Sequence, residues 1–199
     1  MRVNGDLKRL ERKALWLFFQ DGLWDMCLGL FVIGWGAGML TDLAYLAGVW
    51  SVALWFLVLG LKKWITYPRT GYVKLGTREI RIKAQVAILL GVVILVGAAV
   101  MAVFAYDSRP QWISEYFPIL FCGMMALIVI TLAEWLGVRR FMVHAALIFG
   151  AGAAHQWGDV SWSYTFIASG GVIFIIGLGI LVKFLRDNPR PAGGMDSGG

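Results

Sequence analysis

Charge is what this chain has least of. Only 15% of its 199 residues are Asp, Glu, Lys or Arg, against about 25% in typical soluble domains. A soluble fold of this length needs a more polar surface, so that class is excluded. Ionisable side chains are missing from the centres of the long apolar runs, and the run 86–105 has no polar side chain at all. Buried ionisable groups usually mark ion or proton paths through a bilayer. Their absence disfavours a transporter with a charged central relay and a pore formed by one copy. An oligomeric pore lined by backbone or hydroxyls stays open, with Ser51, Thr131 and Ser169 as the deep polar groups.

Cysteine and histidine are equally sparse, at two each. Cys27 and Cys122 are read as small apolar packing residues, in opposite leaflets of a six-span chain and beyond disulfide reach. His155 and Asp159 lie four apart, with Glu115 as a third oxygen, but no Cys or second His joins them. They are weak metal-ligand candidates. His144 and His155 are eleven residues apart, about 16 Å along a helix, so either would need a second subunit to complete a haem iron. No nucleophile arrangement, phosphate-cradling loop or nucleotide motif occurs. The reading therefore takes no metal and no cofactor, and it treats the chain as more a binding module than an enzyme.

What is abundant is apolar length. Hydrophobic residues make up 59% of the chain and the mean hydropathy is +0.73. The runs are long enough to cross a hydrocarbon core of about 30 Å as helices, and none alternates with the period of a barrel strand. The predicted fold is all-α: a polytopic membrane protein with six transmembrane helices and both termini cytoplasmic. The spans fall near 23–40, 43–61, 84–106, 117–136, 141–157 and 164–182, within a domain covering 21–186. An amphipathic helix over 1–20 precedes them, with Leu7, Leu10, Ala14, Leu17 and Phe18 opposite Lys8, Arg9, Arg12 and Lys13. Such a helix suits the headgroup boundary. Asp21-Gly22 reads as a break, no signal-peptide cleavage site follows the first run, and 187–199 is expected to be a disordered tail. Thr41-Asp42 and Val138-Arg139-Arg140 are short enough to make antiparallel hairpins.

The cations fix the orientation. With the amino terminus inside, seventeen of the eighteen Lys and Arg residues fall on the cytoplasmic side and only Arg109 lies outside, as the positive-inside rule requires. Trp16, Trp24, Trp64 and Trp135 then sit at inner boundaries, and Trp112, Trp157 and Trp162 at outer ones, where indole rings are favoured. Topology accounts for the net charge of +6, so nucleic acid is not implied. Small residues at four-residue spacing, Gly34 with Gly38 and Ala146 with Gly150 and Ala154, predict close helix packing. Gly170, Gly171, Gly177 and Gly179 punctuate the last span.

The longest polar interruption is 62–83, with seven cations against Glu79. Lys62, Lys63, Arg69, Lys74, Arg78 and Arg81 are its candidates for contacting lipid or a partner. Arg69 is expected to reach Asp21, Asp25 or Glu134, so that these residues and His144 form a polar cluster docking the loop over the inner ends of the spans. Asp21 and Asp25 share a helix face if the first helix starts early enough. Within the loop, Thr66-Tyr67-Pro68-Arg69-Thr70-Gly71-Tyr72-Val73 resembles a phrase found in uncharacterised bacterial multi-pass membrane proteins. The resemblance implies a bacterial inner membrane and carries no activity. Three function classes remain. The first is a non-enzymatic module whose basic cytoplasmic face binds anionic lipid headgroups or a protein partner, as subunit or regulator of a larger complex. The others are an oligomeric channel or transporter for a small or apolar solute, and a membrane enzyme acting on lipid.

Overall fold

A computed structural model describes residues 19–41, 47–70 and 111–189 of the chain. The expected amphipathic helix, most of the basic loop with Lys74, Arg78 and Arg81, the span at 84–106 and the end of the tail lie outside the described residues. Among the described residues every regular element is helical. These are α1 (Leu23–Leu40), α2 (Ala47–Ile65), the short α3 (Tyr67–Thr70), α4 (Gln111–Leu136), α5 (Arg140–Gly158) and α6 (Trp162–Asp187). Three of them, α1, α4 over Glu115–Leu136 and α6, are long and apolar enough to cross a membrane. The chain divides into a unit of residues 1–72 with 118–199 and a smaller unit of 73–117. The larger unit holds α1, α2, α3, α5 and α6, with α4 from Pro118 onward.

Two turns show why the elements stop where they do. Gly22 adopts φ 74° ahead of α1, a left-handed conformation that glycine takes without steric cost. Asp21 Oδ1 accepts the Leu23 N–H at 3.2 Å, satisfying one of the donors left free at a helix start. After α4, Gly137 at φ 68° and the Val138 N–H donating to the Ala133 carbonyl at 3.0 Å form a Schellman close. The chain then turns directly into α5.

The core is organised by an antiparallel contact between α1 and α6. A side chain on Gly29 would meet the Phe174 backbone nitrogen at 2.6 Å and the Gly170 carbonyl at 2.8 Å. One on Gly170 would meet the Gly29 carbonyl at 2.8 Å, one on Gly177 the Met26 nitrogen at 2.6 Å, and one on Gly36 the Ser163 carbonyl at 2.8 Å. Gly22, Gly29 and Gly36 recur every seventh residue, as do Ser163, Gly170 and Gly177. Backbone thus lies on backbone, the arrangement favoured where lipid removes the hydrophobic drive for helix association.

The small-residue spacings read from the sequence divide differently. Gly34 accommodates the indole of Trp50, whose Nε1 donates to the Leu30 carbonyl at 3.2 Å, so α2 packs on α1 there. On α5 the stripe of Ala146, Gly150 and Ala154 is exposed. The packed face carries Phe141, His144, Ala145, Ile148, Ala151 and Gly152 instead, and a Cβ on Gly152 would strike the Cys122 side chain of α4. Gly171 and Gly179 face open space. Both cysteines are free thiols.

Candidate functional site

α2 runs on past the predicted end of the second span, through Lys62 and Lys63 to Ile65. The first residues of the expected polar loop are therefore helical. Leu54, Val58 and Lys62 follow one another at four-residue spacing and all are buried, so Lys62 continues an apolar stripe and points into the protein. Read from the sequence as a headgroup-facing cation, it is instead 0% exposed.

Its partner is Asp21. Lys62 Nζ lies 2.5 Å from Asp21 Oδ2, and the Thr66 hydroxyl donates to the same oxygen at 2.7 Å. The rings of Phe19 and Trp24 flank the ammonium at 5.9 Å each, within cation–π range. Trp24 stands edge-on to Trp55, with centroids 5.0 Å apart. An apolar cluster of Leu23, Val58 and Leu181, with Leu61, Ile65 and Leu185 against it, closes the junction of α1, α2 and α6. A sealed ion pair of this kind persists only because its hydrogen bonds offset the cost of leaving water.

Asp25, in the first turn of α1, meets different bases. His144 Nε2 lies 2.6 Å from Asp25 Oδ1, and Arg140 Nη2 lies 2.9 Å from Asp25 Oδ2. The arginine contact is an ion pair rather than an aligned hydrogen bond, since Asp25 Oδ2 has no hydrogen-bond partner; the same Nη2 also donates to the Phe19 carbonyl. Asp25 and His144 are fully buried, and His144 Nδ1 is buried without a hydrogen-bond partner. Because Nε2 must donate to a carboxylate, the neutral imidazole leaves Nδ1 as a bare acceptor. Among the described residues, two carboxylates face the ammonium of Lys62 and the guanidinium of Arg140, so with both charged these four groups balance.

Arg140 alone of these groups reaches the surface, at 23% side-chain exposure. It lines a cavity of about 400 Å³ whose other walls are Phe19, Gln20, Gly137, Val138 and Arg139. Arg139 is exposed, as are Lys63 near the end of α2 and Lys183 and Arg186 near the end of α6. The cavity lining thus combines apolar Phe19 and Val138 with two arginines.

The remaining sequence candidates stand elsewhere. The sequence directs Arg69 to Asp21, Asp25 or Glu134, but its Nη1 donates to the Ile65 carbonyl at 2.8 Å. That bond closes the end of the preceding helix, and Lys62 and Arg140 take the places beside the aspartates. Glu134 is exposed and makes no ion pair with them. Far along α5, His155 Nδ1 faces the Val160 carbonyl at 2.7 Å and its ring stacks on Trp162 at 6.2 Å. Asp159 is exposed and supplies the left-handed residue after α5, at φ 50°. Among the described residues no group of three or more His, Cys, Asp or Glu is placed to hold a metal.

Reading outward from Arg69 misses the roles of Lys62, Thr66 and Arg140. A signal is present on one side, where Arg140 and His144 are four apart on α5, the spacing of one helix face; α1 starts only at Leu23, so Asp21 and Asp25 do not share a helix face as the sequence allows. Compared with known proteins, the chain matches no family model, and no curated protein or solved structure is similar to it.

Proposed function

We propose that this is a six-span protein of a bacterial inner membrane, with both termini cytoplasmic. In this reading it is a non-catalytic module that binds anionic phospholipid headgroups at its cytoplasmic end and serves a larger membrane complex. The observation that carries the reading is the cavity lined by apolar Phe19 and Val138 together with Arg139 and Arg140. Guanidinium groups pair with phosphate oxygens in a forked geometry, and an apolar wall suits the first carbons of a lipid. Among the described residues Arg139 and Lys63 are exposed cations with no salt bridge. Topology supports the reading too, because the start of α1 and the end of α6 lie together and seventeen cations fall on one side of the six predicted spans. The lipid-enzyme alternative relies on Glu134, His144 and the two aspartates; His144 meets Asp25, while Glu134 is exposed and makes no hydrogen bond or ion pair with His144.

Native mass spectrometry of protein extracted from membranes of mixed phosphatidylglycerol and phosphatidylethanolamine tests this. Phosphatidylglycerol is expected to be enriched several-fold in the bound lipid, and Lys63→Gln with Arg139→Gln is expected to remove most of that enrichment. Bound lipid of bulk composition in the wild-type protein would overturn the proposal.

A further inference from the structure

Asp25 is shared by two bases with opposite access. Arg140 touches it from the cavity side and reaches the surface; His144 touches it from within and is sealed. We propose that the cavity takes up its anion together with a proton, the anion being held by Arg140 and the proton by His144. This rests on the headgroup-binding reading and adds to it the coupling.

The argument is one of charge balance in a dry site. An anion in the cavity draws the guanidinium of Arg140, whose Nε has no partner and whose hold on Asp25 is an unaligned contact. Asp25 then remains a buried carboxylate with a weakened countercharge, which is costly in a low-dielectric interior. Among the described residues Lys62 is the other cation that acts on Asp25, through space and not as its salt-bridge partner. Lys62 is committed to Asp21, whose oxygens also take the Thr66 hydroxyl and the Leu23 N–H. α6 presents Gly177, Leu181 and Phe184 at this end, while its Lys183, Arg186 and Asp187 are not buried. Glu134 on α4 and Arg139 are exposed as well. The imidazole of His144, 2.6 Å from Asp25, is the one described group in contact with that carboxylate that has a ring nitrogen, Nδ1, left to accept a proton. A proton taken from bulk water onto Nδ1 makes it an imidazolium and restores the balance. By linkage the effect is reciprocal: lower pH strengthens anion binding, and the bound anion strengthens proton binding.

Isothermal titration calorimetry on the detergent-solubilised full chain, in two buffers of different ionisation enthalpy, counts the protons. The probes are short-chain phosphatidylglycerol, whose phosphodiester does not titrate between pH 6 and 8, short-chain phosphatidylcholine, and inorganic sulfate. Phosphatidylglycerol is expected to bind with uptake of a fraction of one proton and to tighten by up to about tenfold per pH unit on acidification. In His144→Gln, which keeps a donor for Asp25, the affinity is expected to be the same at pH 6 and pH 8. Binding without proton uptake, or an unchanged pH profile in His144→Gln, overturns the coupling while leaving headgroup binding in place. No preference for phosphatidylglycerol over phosphatidylcholine at either pH overturns both. Sulfate binding as tight as phosphatidylglycerol, with the same proton uptake, would assign the site to a free oxyanion and overturn the lipid source. Should His144→Gln fail to fold, the wild-type proton count alone decides.

Discussion

Asp21 just ahead of α1 and Asp25 in its first turn are four residues apart, yet the fold gives them separate tasks. Asp21 is saturated by Lys62, Thr66 and the Leu23 N–H and joins the end of α2 to the start of α1. Asp25 is less completely held and joins α1 to α5. Removing one partner of a sealed ion pair leaves an uncompensated charge, which costs about 3–5 kcal/mol, whereas replacing both with apolar groups of similar size is often neutral. Lys62→Met is therefore expected to lower the unfolding midpoint in detergent sharply, and Asp21→Asn somewhat less. The double variant Asp21→Asn with Lys62→Met is expected to recover most of the loss. Equal and additive losses in a double-mutant cycle would show that the pair is not coupled. Lys62 also illustrates why the site is only partly legible from sequence. A lysine beside another lysine after an apolar run reads as an exposed end of a span, and only its phase with Leu54 and Val58 points inward.

Among the helices, the α1–α6 contact depends on the absence of side chains rather than on any attractive group. Backbone atoms 2.6–2.8 Å from where a Cβ would stand at Gly29, Gly170 and Gly177 cannot move aside as a flexible side chain can. Gly29→Ala and Gly170→Ala are each expected to destabilise by about 1–3 kcal/mol, the usual scale of overpacking. Gly171→Ala adds its methyl to open space and is expected to be neutral or slightly stabilising, since alanine is the better helix former by up to about 1 kcal/mol. Thermal melts of the three variants in one detergent compare them directly, and a Gly171→Ala loss as large as that of Gly29→Ala would refute the assignment of faces. The GxxxG pair points to Gly34 and Gly38, while the repeat that carries this contact is seven residues long. Spacing by four identifies a helix face but not its partner; the matched heptads of Gly22, Gly29, Gly36 and Ser163, Gly170, Gly177 identify both.

For the molecule as a whole, the antiparallel register of α1 and α6 brings the start of one and the end of the other to the same end of the bundle. A reporter active only in the cytoplasm, fused in turn to the amino and carboxyl termini, is expected to be active in both fusions. A reporter requiring an oxidising compartment is expected to be active when inserted near Arg109. Opposite results for the two termini would exclude an even number of spans. Cys122 is 0% exposed and wedged against Gly152, so in the folded protein it is expected to resist maleimide labelling until denaturant is added.

Composition and run length by themselves determined that the chain is helical and suited to a membrane, because burying so many apolar residues in water is not possible with so few charges to cover them. The sequence also grouped Asp21, Asp25 and His144 as ionisable residues flanking the apolar runs, with Glu134 beside them, which stays apart from the cluster. Which cation meets which carboxylate was decided only by the tertiary structure. That choice depends on helix phase and on close approach through glycine, which bring Lys62 to Asp21 across 41 residues and Arg140 with His144 to Asp25 across more than a hundred. The same packing turned Asp21-Gly22, a simple break in the sequence, into the point where α1, α2 and α6 are joined.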